Sequence, residues 1–200
     1  AGTIERGTTV SDFDPMEKER GHSINSTVLG IDHGGVHINL IDTPGYADFR
    51  GPTLSALAAV ETCAVVINAA NGIEHGSLRM MDYARARRLC RLLVVNKIDH
   101  EDIDLETLVV QLRETFGNEC LPINLPAAGG TKVVDCFGQA GGDSDFSSPA
   151  QAHQQIIDQV VEINETVMDR YLELGESGLG GSELHDAFEQ CLREGHLVPV

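Results

Sequence analysis

The sequence predicts an α/β fold: a sheet with helices on both faces, followed late in the chain by an α+β subdomain. Three observations carry this. Apolar, strand-like runs at 36–41, 63–68 and 92–95 alternate with segments of helical period at 75–89 and 104–116. Two of those runs end in short polar turns, at Asp42 and at Asn96, the strand ends where open α/β sheets bind ligands. From Leu121 onward the pattern changes to short strands, a Gly/Ser/Asp loop and amphipathic helices.

With 42% hydrophobic residues over 200 positions, the chain can bury a proper core, as one large domain or a core plus a subdomain. No apolar run approaches the length of a membrane span, which argues against a membrane partner. No signal peptide is read. Five cysteines without CxxC spacing read as reduced thiols of a cytoplasmic protein, several of them in the core. The net charge of −17 is uneven: residues 1–97 hold 11 acids and 10 bases, residues 98–200 hold 20 acids and 4 bases. That excess speaks against a DNA or RNA interface on the second half and suits a basic protein partner or a solvated surface.

Taken in order, residues 3–24 are polar and turn-rich. Strands follow at 25–32 and 36–42, joined through His33-Gly34-Gly35, whose glycines suit a tight hairpin. His33 and His37 share no helical face there and are not read as a metal site. The alternation of Val36, Ile38 and Leu40 predicts burial on at least one face. The strand ends in Asp42-Thr43-Pro44-Gly45. Asp42 can hold Mg²⁺, usually through a water, and the Gly45 N–H can approach a terminal phosphate because no side chain obstructs it. A short helix is predicted over 53–60, and the continuous apolar run 63–68 reads as a buried parallel strand. The helix 75–89 carries an incomplete apolar stripe; Arg79, Arg85, Arg87, Arg88 and Arg91 lie on or just after it, a basic face either solvated or turned to RNA. Strand 92–95 leads into Asn96-Lys97-Ile98-Asp99. Helix 104–116 sets Leu105, Leu108, Val109, Leu112 and Phe116 on one face, with acids in its first turn. Beyond it come short strands at 121–126 and 131–137, a flexible loop 138–149, and one long helix 150–174. A glycine break at 178–181, a helix 182–194 capped by Ser182, and a strand 197–200 complete the chain.

Asp42-Thr43-Pro44-Gly45 and Asn96-Lys97-Ile98-Asp99, in that order and each after an apolar strand, resemble two motifs of GTPases. In such proteins the carboxylate at the Asp99 position accepts hydrogen bonds from guanine N1–H and the 2-amino group, a donor pair that adenine lacks. The stretch DFDPMEKERGHSI at 12–24 then resembles the first switch of the elongation factor G family of translational GTPases. The resemblance covers essentially the whole chain. It implies a P-loop NTPase-type sheet, incomplete here, with GTP/GDP and Mg²⁺ as ligands. Ser23 and Asp42 would serve Mg²⁺, Gly45 the γ-phosphate and Tyr46 the surroundings of the attacking water, while Asn96, Lys97 and Asp99 would read guanine. It also implies a GTPase core over 1–120, an inserted subdomain over 121–196 and a strand at 197–200 that returns to the core. The implied partner is the ribosome, through its rRNA and the flexible stalk protein of the large subunit.

Two positions depart from the family. Ser23 replaces the usual Thr but keeps its hydroxyl. Tyr46 stands where most translational GTPases carry a His that orients water. Both bring the chain nearer to the elongation factor G-like paralogues and put hydrolysis in question. The readings are a hydrolysing GTPase, or a GTP-sensing binding module with little or no hydrolysis; release-factor and ribosome-protection relatives share the same switches. No G-x-x-x-x-G-K-[ST] occurs, and none of Lys18, Lys97 and Lys132 follows a glycine. The family places that phosphate loop before the first switch and a last guanine motif beyond residue 200; Ser55-Ala56-Leu57 lies too early to serve. With a start at Ala1, the expectation is a piece of a GTPase domain that alone binds GTP weakly and is inactive.

Overall fold

The computed structural model describes residues 10–11, 14–99, 103–138 and 141–200. Asp12 and Phe13 of the switch-like stretch, and most of 3–11, lie outside them. The chain divides into two compact units, 1–60 and 61–200.

The first unit begins with a one-and-a-half-turn helix α1 (Pro15–Arg20). Thr27–His33 (β1) and Val36–Asp42 (β2) then pair antiparallel in full register, from Thr27 opposite Asp42 to His33 opposite Val36. Gly34 and Gly35 take positive φ, 57° and 80°, as a two-residue hairpin turn of this hand requires. Burial of β2 does not follow. Ile38 and Leu40 are 42% and 44% exposed. Apolar alternation makes a strand, but burial needs a second layer, and among the described residues β1 and β2 pair only with each other. A 3₁₀ turn (Ala47–Phe49) leads into α2 (Arg50–Ala56). This helix starts three residues before the predicted one, because Pro52 is tolerated within a first turn whose N–H groups have no intrahelical partner.

In the second unit β3 (Thr62–Asn68) and β4 (Cys90–Asn96) are parallel neighbours joined through α3 (His75–Ala86). β3 is buried on one face only: Cys63, Val65 and Ile67 point inward, whereas Val66 is 59% exposed. The run is apolar throughout, yet helix packing covers the inward face alone. α4 (Leu105–Phe116) buries Leu108, Leu112 and Phe116; the Asp104 side chain accepts from Thr107 N at 2.9 Å as its N-cap.

β5 (Cys120–Leu121) pairs parallel with β8 (Val198–Pro199), and β6 (Asn124–Ala127) with β7 (Lys132–Asp135) antiparallel. The predicted long helix is two: α5 (Pro149–Val161) and α6 (Glu165–Leu174). Asn164 separates them. Its side chain accepts from Thr166 N at 3.0 Å and Val167 N at 3.4 Å, so it caps a new helix. α7 (Gly181–Glu194) starts one residue before Ser182, with Gly180 at the N-cap and no side-chain cap. Leu121, Leu125, Cys136, Ile156, Val160 and Cys191 share one core, and Ile157, Val161, Val167 and Leu179 a smaller second one. All five cysteines are free.

Candidate functional site

Ser23, Asp42, Gly45 and Tyr46 lie in the first unit; Asn96, Lys97 and Asp99 lie in the second.

Ser23 is positioned by α1. Asp14 and Glu17 form a capping box, with Met16 N donating to Asp14 Oδ1 at 2.8 Å and Asp14 N to Glu17 Oε2 at 3.3 Å. Gly21 closes the helix at φ 68°. Glu17 does more than cap. It is 1% exposed, and its Oε1 accepts from both Ile24 N and Asn25 N at 2.9 Å. These bonds, that from Asn25 foremost, hold its carboxyl below the usual carboxylate range. Ser23 thus sits between a helix C-cap and two clamped amides. Sequence reasoning missed Glu17: the Asp14-x-x-Glu17 spacing was readable, but its bonds seven and eight residues on were not.

Asp42 ends β2 and is half-buried. Pro44 is buried, and its carbonyl accepts from Thr53 Oγ1 at 3.0 Å, which ties the turn to α2. Gly45 is open; a Cβ there would meet nothing within 4 Å. Tyr46 is 59% exposed, its ring 4.4 Å from that of His22. His22 precedes Ser23, so this contact brings the Ser23 loop and the Gly45–Tyr46 turn together.

In the second unit Asn96 ends β4. Its carbonyl accepts from Ala69 N at 2.9 Å, and its Oδ1 accepts from Lys97 N at 2.9 Å. Lys97 takes φ 60°, a left-handed turn that ends the strand, and Asp99 is exposed. Gly130, in the β6–β7 turn, is the second residue that sequence reasoning missed. A Cβ there would lie 2.5 Å from the Ile98 carbonyl oxygen and 3.2 Å from Asp99 N. The carboxylate of Asp145 anchors the same turn, accepting from Gly129 N at 3.0 Å and Gly130 N at 2.8 Å. The Gly129-Gly130 pair lies between the two short strands read at 121–126 and 131–137; its contact across more than thirty residues was not readable.

The profile of the elongation factor Tu GTP binding domain matches residues 1–194. The chain is 30% identical over 213 residues to an elongation factor G-like protein of Thermotoga maritima, covering all of this chain and 31% of that protein. It is 38% identical over 122 residues to peptide chain release factor 3 of Nitrosomonas eutropha, covering 61% of this chain and 23% of that protein. A crystal structure of a Thermus thermophilus protein superposes with a TM-score of 0.86 at 31% identity, covering all of this chain and 32% of that one. The chain therefore spans about a third or less of these relatives. With the match running from the first residue almost to the last, the chain belongs to the elongation factor Tu GTP binding domain family.

Proposed function

We propose that this chain is the GTP-binding and GTP-hydrolysing part of an elongation factor G-like translation factor that acts on the ribosome. The observation that carries it is the Asn96–Asp99 loop. It ends a parallel strand, is turned by Lys97 at φ 60°, and leaves the Asp99 carboxylate open to a base, in a chain of this family. Asp99 accepts from guanine N1–H and the 2-amino group, while Asn96 and Lys97 hold the loop.

At the phosphate end, the Gly45 N–H serves the γ-phosphate without obstruction. The Ser23 hydroxyl and the Asp42 carboxylate are hard oxygen donors, the set Mg²⁺ prefers. The His22–Tyr46 contact draws their two loops together, so the residues fit that ion. Bound there, Mg²⁺ supplies charge neutralisation at the phosphates. Tyr46 lies near the attacking water and orients it through one phenolic hydrogen bond. Residues 121–196 form the inserted subdomain, the seat of contact with the ribosomal stalk protein.

Asp99→Asn tests the reading of the base. Xanthine offers an acceptor where guanine has its 2-amino donor, so the variant should prefer xanthine nucleotides. Its GTP binding should weaken by about 2–5 kcal/mol. Unchanged GTP affinity sinks the assignment. A second reading, a GTP-sensing module with little hydrolysis, is favoured by Tyr46, a neutral phenol. Single-turnover hydrolysis with and without ribosomes separates the two.

A further inference from the structure

Glu17 is the only buried residue of α1, and it is an acid. A short surface helix ordinarily attaches through apolar side chains. This one turns a carboxylate inward, 1% exposed. The carboxylate accepts from backbone N–H groups: Asp14 N to Oε2 at 3.3 Å, Ile24 N and Asn25 N to Oε1 at 2.9 Å each. The amides of Asn25 and Ile24 lower its pKa, so at neutral pH both oxygens accept. Capping of α1 accounts only for the longest of the three bonds, that from Asp14. The two shorter ones reach past the end of the helix to the segment that follows Ser23.

Glu17 also holds the other end of that segment. Its backbone carbonyl accepts from Gly21 N at 2.8 Å, which closes the helix with Gly21 at φ 68°. Gly21 and Ile24 are thus both fixed to one residue, and only His22 and Ser23 lie between them. A two-residue span with pinned ends keeps little backbone freedom. The His22 ring, 4.4 Å from that of Tyr46, restricts it further.

We propose that Glu17 is a positioning residue for the Mg²⁺ site: by holding the backbone on both sides of Ser23, it presents the Ser23 hydroxyl to the ion. This rests on the assignment of Ser23 to Mg²⁺ under the proposed function. Glu17 acts through the backbone and not as a ligand, since Oε1 already accepts two bonds and the carboxylate is buried. A donor held in place before the ion arrives need not be ordered on binding, and groups that orient a metal's ligands change its affinity about 10–100-fold when removed. An apolar side chain at 17 would bury as well, but it would leave the amides of Ile24 and Asn25 without their acceptor.

The test uses the whole translation factor and compares Glu17→Ala, Glu17→Gln, Ser23→Ala, the double variant Glu17→Ala/Ser23→Ala and Asp14→Ala. One measurement is hydrogen exchange of the Ile24 and Asn25 amides without nucleotide or Mg²⁺. The other is the Mg²⁺ concentration that half-saturates the complex with a non-hydrolysable GTP analogue. Glu17→Ala should expose both amides to exchange and raise the half-saturating Mg²⁺ about tenfold. Gln keeps one acceptor oxygen but no charge, so Glu17→Gln should give a smaller rise of the same sign, and it carries the comparison should Glu17→Ala not fold. Ser23→Ala should raise the Mg²⁺ requirement too, and the double variant no further than Ser23→Ala alone, because Glu17 acts through that hydroxyl. Asp14→Ala removes the bond from Met16 N, so it should lower the thermal midpoint and leave the Mg²⁺ requirement unchanged. A raised requirement in Ser23→Ala but in neither Glu17 variant overturns the proposal alone. So do Glu17 and Ser23 effects that add in the double variant, or Asp14→Ala matching Glu17→Ala. An unchanged requirement in Ser23→Ala overturns the Mg²⁺ assignment and the proposal with it.

Discussion

Tyr46 concentrates the question of catalysis in one side chain. A phenol cannot become a cation, whereas an imidazole can near neutral pH. Phosphoryl transfer is catalysed mostly by positioning and charge stabilisation, so a tyrosine keeps part of the first and loses the second. Losing one preorganised electrostatic contact costs about 2.7–4 kcal/mol in enzymes where it has been removed, and on the reading proposed above Mg²⁺ at the phosphates would offset part of that. Tyr46→His should therefore speed ribosome-stimulated, single-turnover hydrolysis by about tenfold or more. GTP affinity should barely move, because the ring is largely exposed and packs on the ring of His22. Equal single-turnover rates would remove the main support for an impaired hydrolysis step. The motif residues were legible as residues: Asp42, Gly45, Asn96 and Asp99 fall at strand ends, where the apolar pattern stops and a turn starts. What holds them was not legible. Glu17 reads as one more acid in a polar stretch until its carboxylate is seen under the amides of Ile24 and Asn25.

At the scale of elements, the β6–β7 turn is the support of the Asn96–Asp99 loop. Gly130 has φ 75°, and its α-carbon faces the Ile98 carbonyl with no room for a methyl group. Gly130→Ala should strain the turn by about 1–3 kcal/mol and push Ile98 and Asp99 away. The check is paired: guanine-nucleotide affinity should fall about tenfold along with the thermal midpoint, whereas a lower midpoint with full affinity would mean that the turn does not support the loop. α5 carries a second, pH-dependent support. His153 is 6% exposed; its Nδ1 donates to the Cys136 carbonyl at 2.8 Å and its Nε2 to the Glu176 carboxylate at 3.1 Å. Burial disfavours the charged ring, but the bonds to Glu176 and Cys136 outweigh it and raise the pKa above 6.5. A raised folded-state pKa means the stabilisation is complete below pH 6.5 and is lost as the pH climbs through the folded value. Thermal midpoints should therefore fall as the pH rises above 6.5, and His153→Gln should flatten that slope; an identical slope in the variant refutes the role. The break between α5 and α6 escaped sequence reasoning for a related reason. The apolar stripe runs on through Val160, Ile163 and Val167, and only the Asn164 side chain, bonded to the amides after it, restarts the helix.

Across the whole molecule, the succession of strands, helices and motifs along the chain was readable because apolar runs alternate with helical periods. The depth of burial was not, since it depends on layers that a single segment does not encode: Leu40 and Val66 sit in apolar runs and are 44% and 59% exposed. Charge was readable as a total, and the structure shows where it gathers. α7 carries Glu183, Asp186, Glu189 and Glu194, and Leu172 and Leu174 at the end of α6 are 73% and 59% exposed. Arg170 of α6 pairs with Glu183 of α7, and an acidic helix with exposed leucines on the helix it pairs to suits a basic, partly apolar protein segment: the charges steer the encounter and the leucines supply area to bury. Nucleic-acid phosphates would be repelled there. On the ribosomal reading proposed above, a photo-crosslinker placed within 178–184 should capture a ribosomal protein. The yield should drop as salt rises from 0.05 to roughly 0.3 M, a range over which the Debye length shrinks to well under 10 Å. Glu183→Lys/Asp186→Lys should lower the yield further while leaving the fluorescent GTP analogue's affinity unchanged. Crosslinks confined to rRNA, or a protein crosslink insensitive to both salt and charge reversal, would show that the acidic face is solvated surface and that the contact lies elsewhere.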